Sequence, residues 1–262
     1  MNMMRFTTMK TKLRKYPSIF LILLLAISSC FLTGCVNQHP KDSKKSSQGE
    51  SVETMLEITD PKEKQAVLNA KAKVKALSGN PRIVATSPAV ADICDKLDLD
   101  LVGVPKSSVS KIPSRYKKVK KVGLAMSPDM EIVSSLNPDW ILAPSSLETD
   151  LKPKFEELKN TEYAFLNLRS VQGMYRSVQE LGEIFGKQQE AEKMTKEFTT
   201  FYKSYTKRNK NKKHPKVLVL MGLPGSYVIA TENSYVGSLV KLSGGENVYQ
   251  NTDQEFLTVN TE

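Results

Sequence analysis

Two histidines, three cysteines and one tryptophan occur in 262 residues. Histidine stands only at His39 and His214, neither of them beside cysteines or carboxylates at metal-binding spacing, so no histidine-based metal centre is indicated. Nothing points to a Ser-His-Asp arrangement either. Catalytic groups are scarce, and an enzyme is unsupported. The apolar run Ile19–Ile27 is too short to cross a bilayer as a permanent helix. With 40% hydrophobic and 25% charged residues, the composition excludes collagen-like, coiled-coil and wholly disordered chains. The length suits one large domain or two small lobes.

What the chain does have is positive charge, +10 overall, distributed unevenly. Arg5, Lys10, Lys12, Arg14 and Lys15 occupy residues 1–34 without a single acid, which leaves +5 for the remainder. Five cations, a short apolar run and a small-residue stretch make a secretory signal. The sequence Leu32-Thr33-Gly34-Cys35 that closes it resembles a bacterial lipobox. That resemblance implies cleavage before Cys35 and diacylation of its thiol, with extracytoplasmic attachment to the cell membrane. Two acyl chains hold a protein on a membrane stably where one does not. Cys30 then leaves with the signal and Cys35 is lipidated, so Cys94 has no partner for a disulfide. Its apolar, helical surroundings read as a buried structural thiol.

Residues 35–54 are polar, rich in Ser and Lys, and read as a flexible tether. Residues 55–80 contain a short peripheral helix interrupted early by Pro61. Residues 81–170 follow a βα rhythm. Strands are expected at Arg82–Thr86, Leu101–Val104, Asp139–Ala143 and Tyr163–Leu168. Helices are expected at Pro88–Leu97, from a Ser127 cap with Pro128 at the first position through Leu136, and at Asp150–Lys159. Such alternation implies a parallel sheet covered on both faces. Residues 171–214 read as a long helical spine interrupted near Gly186. Residues 215–262 carry strands at Val217–Leu220 and Tyr227–Ala230 and a helix at Ser234–Leu242, closed by Gly244. The expected fold class is α/β, two Rossmann-like lobes joined by a helical spine. The second lobe is expected to be incomplete, because 48 residues cannot cover a sheet on both faces.

Met221-Gly222-Leu223-Pro224-Gly225-Ser226 follows a strand as a phosphate-binding loop would. Such a loop must open a helix, whereas Tyr227–Ala230 continues as strand, so the motif reads as a hairpin turn. One basic cluster spans Lys106 to Lys121 and another Lys203 to Lys216, with seven cations each. Solvated faces are the default for both. The first precedes a loop at the carboxyl side of the sheet and is also able to attract an anionic ligand. Nucleic acid is a poor partner for an exported protein. Met126 lies in a strand-to-helix loop on the sheet edge where open α/β sheets bind ligands. A thioether can coordinate haem iron, but packing is the ordinary role of a methionine.

The segments PRIVAT with CDKLDLDLVG, VGLAMSPDMEIVSSLNPDWIL and HPKVLVLMGLPGSYVIATENSYVGSLVKLSGGENV resemble the cluster A, class III substrate-binding lipoproteins of ABC importers for iron complexes, over about Pro81 to Glu262. The resemblance implies a non-catalytic receptor that holds haem b between its lobes and passes it to a permease and its ATPase. It also implies a monomer that takes haem directly or from haem-donating surface proteins. Met126 corresponds to the family's methionine ligand to iron. Haem-contacting positions fall on Pro88, Ala89, Ser107 and Ser108, with Pro224, Gly225, Ser226 and Tyr227 facing them from the second lobe. The family's histidine ligand has no counterpart in His39 or His214. Glu131 and Glu262 match the glutamates presented to permease arginines, although Glu131 also suits the first turn of a helix on dipole grounds alone. A siderophore or corrinoid receptor of the same fold is the sibling alternative. A lipid-anchored surface enzyme or adhesion module is the alternative from another class.

Overall fold

A computed structural model of the chain describes residues 5–6, 56–223 and 225–258. The signal reading of residues 1–34, the tether, Cys35, His39, Pro224 and Glu262 lie outside the described residues, apart from Arg5–Phe6. Those two form β1. They are followed by α1 (Pro61–Lys75), β2 (Ile83–Ala85), α2 (Pro88–Lys96), β3 (Leu101–Val104) and β4 (Lys120–Lys121). A small hairpin, β5 (Gly123–Leu124) and β6 (Ser127–Pro128), leads to α3 (Met130–Ser135), β7 (Trp140–Pro144), α4 (Glu148–Glu156) and β8 (Glu162–Leu166). Then come α5 (Val171–Phe185), α6 (Gln188–Asn209), β9 (Lys216–Val217), β10 (Leu220–Leu223), β11 (Ser226–Ala230), α7 (Tyr235–Leu242), β12 (Glu246–Asn247) and β13 (Phe256–Thr258).

The main sheet has the order β1-β8-β7-β2-β3-β4, with parallel pairing throughout except for β1, which lies antiparallel to β8. Alternation along each strand sends side chains to opposite faces. Ile83, Ala85, Trp140, Leu142, Ala164 and Leu166 share one core with residues of α1, α2 and α5. Val84, Ile141, Ala143, Tyr163 and Phe165 share the other with residues of α3 and α4. The sheet is therefore covered on both faces, as the apolar strand runs required. Full burial of one such large side chain contributes about 1.5–3 kcal/mol. Cys94 lies in the first core, and desolvation pushes its thiol up to about 12, which keeps it protonated and inert.

Several element boundaries differ from the sequence reading. Pro61 does not interrupt a helix but opens α1, with the Asp60 carboxylate accepting from Lys62 N at 2.7 Å. A proline's missing N–H costs nothing at that position. Nor is α1 peripheral, since Val67 and Ala70 belong to the first core. Ser127 and Pro128 form a strand rather than a helix start. The cap is Asp129, whose Oδ1 accepts from Ile132 N at 3.0 Å. The helix expected at Asp150–Lys159 begins earlier, at Glu148, and ends at Glu156, carrying Pro153 in its interior. The strand expected to reach Leu168 ends at Leu166.

The stretch read as one long spine is two helices folded back on each other. Gly186 takes φ 71°, a left-handed conformation that ends α5. The ring of Tyr175 on α5 then stacks on Phe198 of α6, centroids 4.5 Å apart. The region after α6 is tied to these helices by Val171 N donating to Ser238 Oγ (3.2 Å) and Tyr205 Oη donating to the Ser243 carbonyl (2.9 Å), and to the loop before α5 by an Arg169–Glu255 ion pair (2.5 Å). It holds an antiparallel sheet, β10-β11-β13, and a parallel pair, β9 with β12. The expected hairpin is present, with Leu223 paired to Ser226 across the turn. Leu220, Tyr227, Val248 and Phe256 each remain more than a third exposed. No helix among the described residues is long and apolar enough to cross a membrane.

One polar contact lies inside the α1–α5 packing. Glu180 of α5 is fully buried close to Glu63 of α1, itself almost fully buried, and neither Glu180 carboxyl oxygen has a hydrogen-bond partner among the described residues. Desolvation first, then Glu63, raises the Glu180 pKa well above the carboxyl range, and the Arg176 guanidinium one turn away opposes this. Folding therefore binds a proton at Glu180 that the unfolded chain releases near pH 4.5. The stabilisation is complete below that pH and is lost as the pH rises into the alkaline range. Thermal unfolding followed by circular dichroism is expected to show the melting temperature falling from pH 6 to pH 9. Glu180→Gln, neutral at every pH, should flatten that slope.

Candidate functional site

Five connections leave the carboxyl edge of the parallel strands, and three of them carry residues singled out in the sequence. After β2, Ser87 caps α2 by accepting from Val90 N (3.3 Å), which sets Pro88 and Ala89 at the first helical turn. After β3, the chain turns at Ser107, whose Oγ accepts from Ser110 N (3.0 Å), with Ser108 exposed beside it. After β4, the β5–β6 hairpin carries Met126 at its tip. The Lys106 N–H donates to the Gly123 carbonyl at 2.6 Å, which joins the second loop to the third. Pro88, Ala89, Ser107, Ser108 and Met126 are thus gathered at one edge of the sheet.

The local chemistry of the hairpin explains the placement of Met126. Gly123 has φ 95°, and a Cβ there would stand 2.8 Å from Asp129 N, so only glycine fits. Val122 N donates to the Val104 carbonyl (2.9 Å) and Asp129 N to the Val122 carbonyl (2.8 Å), pinning both ends of the hairpin to the sheet. Met126 is left 72% exposed, an unusual state for an apolar side chain. A methionine that packs would be covered, so the structure separates Met126 from the packing role that sequence alone could not exclude. Glu131, exposed in the first turn of α3, lies just beyond the hairpin.

The 105–121 segment is held by one arginine. Arg115 reaches Asp98 (2.7 Å), Asp100 (2.8 Å) and Asp95 (3.9 Å), and its guanidinium sits 5.3 Å from the centre of the Tyr116 ring. Hydrogen bonds from Lys187 and Arg115 hold Asp98 below its ordinary pKa. Tyr116 is buried and donates to the Leu99 carbonyl at 2.5 Å. One member of the first basic cluster is therefore a fastener and not a free cation.

Other residues stand elsewhere. Gly225, Ser226 and Tyr227 are exposed at the β10–β11 turn, and no hydrogen bond or ion pair among the described residues joins them to the Met126 edge. His214 is exposed on the connection between α6 and β9, where its Nδ1 lies 2.7 Å from the Gly244 oxygen. A cavity of about 420 Å³ opens beside Ala89, lined largely by apolar atoms of Ile93, Leu168, Met174, Met194 and Tyr235. Met126 does not line it. Met174, Met194 and Tyr235 were not singled out in the sequence. The first two follow helical periodicity as packing residues do, so no local signal distinguishes them. Among the described residues no group of three or more His, Cys, Asp or Glu is placed to hold a metal ion.

The periplasmic binding protein family matches residues 83–262. This chain belongs to that family. The high-affinity heme uptake system protein IsdE of Staphylococcus aureus (strain Newman) is 41% identical over 186 residues, covering 71% of this chain and 63% of the relative. The chain thus spans less than two thirds of that curated relative. Among solved structures, an ABC transporter substrate-binding protein from Listeria monocytogenes EGD-e matches with a TM-score of 0.65 and 45% identity, over 70% of each chain. S. aureus IsdE complexed with heme matches with a TM-score of 0.65 and 40% identity, over 70% of this chain and 71% of that one. These likenesses establish the class III substrate-binding fold, and the family is one of transport proteins.

Arg115→Ala is expected to speed amide hydrogen exchange across residues 105–119, because the loop loses its three aspartate ties. Exchange in β7 and β8, which Arg115 does not touch, should stay unchanged.

Proposed function

We propose that this protein is the substrate-binding component of an ABC importer, anchored outside the cytoplasmic membrane through lipid on Cys35. Its cargo is haem, bound without chemical change and delivered to a permease and its ATPase. The observation that carries this reading is Met126, an exposed thioether on a pinned hairpin at the carboxyl edge of the sheet. It stands in a chain 41% identical to a heme uptake protein.

The residues at this edge suit a haem. A neutral, soft thioether is a ligand for its iron. Pro88, Ala89, Ser107 and Ser108 offer contacts to the porphyrin rim, and Lys106 and Lys121 bring positive charge for its carboxylates. Gly225, Ser226 and Tyr227, with Pro224, would approach from the other region. His214 is not assigned to iron, since it is engaged with the Gly244 carbonyl. Glu131 and Glu262 are the carboxylates proposed to meet permease arginines, in bidentate pairs that fix orientation. A ferric siderophore or a corrinoid would instead draw on the cationic 106–121 segment and leave the thioether unused.

Titration with haem, followed by the Soret absorbance, tests the assignment. Met126→Ala is expected to shift the band and weaken binding by about tenfold or more, a loss of roughly 1.4 kcal/mol. An unchanged spectrum and affinity would remove Met126 from the site, and tighter binding of a ferric siderophore would replace haem as cargo. For the anchor, Cys35→Ser should release the exported protein from the membrane fraction. Undiminished retention of that variant would rule out lipidation at Cys35.

A further inference from the structure

Helix α6 presents two unlike faces along its 22 residues. Its inner face is Ala191, Met194, Phe198, Tyr202 and Tyr205. Ala191 and Met194 pack on the first core, Phe198 stacks on Tyr175 and Tyr202, and Tyr205 bonds to the Ser243 carbonyl. On the opposite side, positions 193, 196, 200, 203, 207 and 210 recur at alternating steps of three and four, which keeps them on one face. Five of the six are lysine, and the exception is Thr200. Lys193, Lys196, Lys203, Lys207 and Lys210 are all exposed. Among the described residues, Lys193, Lys196, Lys207 and Lys210 make no ion pair. Glu192 and Glu197 flank the first half of the stripe, and no acid occurs from Phe198 through Thr231.

At 1.5 Å per residue the stripe runs about 26 Å in a straight line. It continues into Lys212 and Lys213 on a connection held in place by Lys212 N donating to the Asn209 carbonyl (3.0 Å) and Glu246 N donating to the Pro215 carbonyl (2.8 Å). Like charges along one face repel one another, and of the five only Lys207 and the C-cap Lys210 stand where the helix dipole favours a cation. The stripe carries no aromatic or aliphatic anchor of the kind that organises a protein–protein interface. Phe201, exposed on the same helix, lies on a different face.

We propose that this lysine stripe is a docking surface for the phosphate-bearing face of an anionic bilayer. Each lysine near such a surface gains attraction that falls off within a Debye length, and a straight row can engage several headgroups together. The tether from Cys35 would keep the stripe near the membrane, so the proposal draws on the anchor reading but not on the identity of the cargo.

The full chain reconstituted into vesicles provides the test, which requires neither haem nor an acylated Cys35. Lysines are labelled with an amine-reactive reagent and read out by mass spectrometry, with the exposed Lys62 and Lys64 of α1 as internal references. In phosphatidylglycerol–phosphatidylcholine vesicles at low salt, labelling of the five stripe lysines should fall by about fivefold relative to pure phosphatidylcholine. High salt should remove the protection. Lys203→Glu with Lys207→Glu should restore labelling of Lys193, Lys196 and Lys210. Equal labelling in the two vesicle types overturns the proposal, as does protection that survives the charge reversal. Protection by soluble polyphosphate but not by anionic vesicles also overturns it, in favour of a free polyanion.

Discussion

Covering a parallel sheet on both faces is the constraint from which the rest of the structure follows. A parallel strand cannot return through a tight turn, so each crossover must carry a covering segment. In this chain α1, α2 and α5 contribute to one core and α3 and α4 to the other. Once both faces are closed, only the strand ends remain open to a ligand. The loops at the carboxyl edge are then free to carry residues that packing does not require, and Met126 is one of them.

The same constraint explains how a short hairpin can hold an exposed methionine. Backbone hydrogen bonds from Val122 and Asp129 fix the hairpin at both ends, and the Gly123 conformation lets it approach the backbone of residues 127–129. The side chain at the tip has nothing to pack on, so its exposure is imposed by the backbone. Arg115 acts similarly one loop away, where three aspartates convert a basic segment into a positioned wall. Binding by a fold of this kind depends on such preorganisation more than on the number of contacts.

Most of the first βα region was legible because its strands are short apolar runs bounded by turn residues. Two of the errors share one cause. Pro61 and Ser127-Pro128 were read from local capping chemistry, in which a proline can either open a helix or stand outside it. The choice belongs to a neighbouring carboxylate in each case, Asp60 for α1 and Asp129 for α3. The fold-back at Gly186 was legible as an interruption but not as a reversal. Its direction depends on Tyr175 meeting Phe198, 23 residues later in the chain.

The sequence by itself determined the class of fold, the burial of Cys94 and the family, because apolar periodicity and long matching segments survive without coordinates. It also singled out the residues that line the carboxyl edge, though only the family resemblance distinguished Met126 from nine other methionines. Tertiary structure alone decided how far Met126 is exposed and that Arg115 is committed to its aspartates. These are properties of distance and coverage. They arise when segments far apart in the chain are brought together, and no local pattern of residues carries that information.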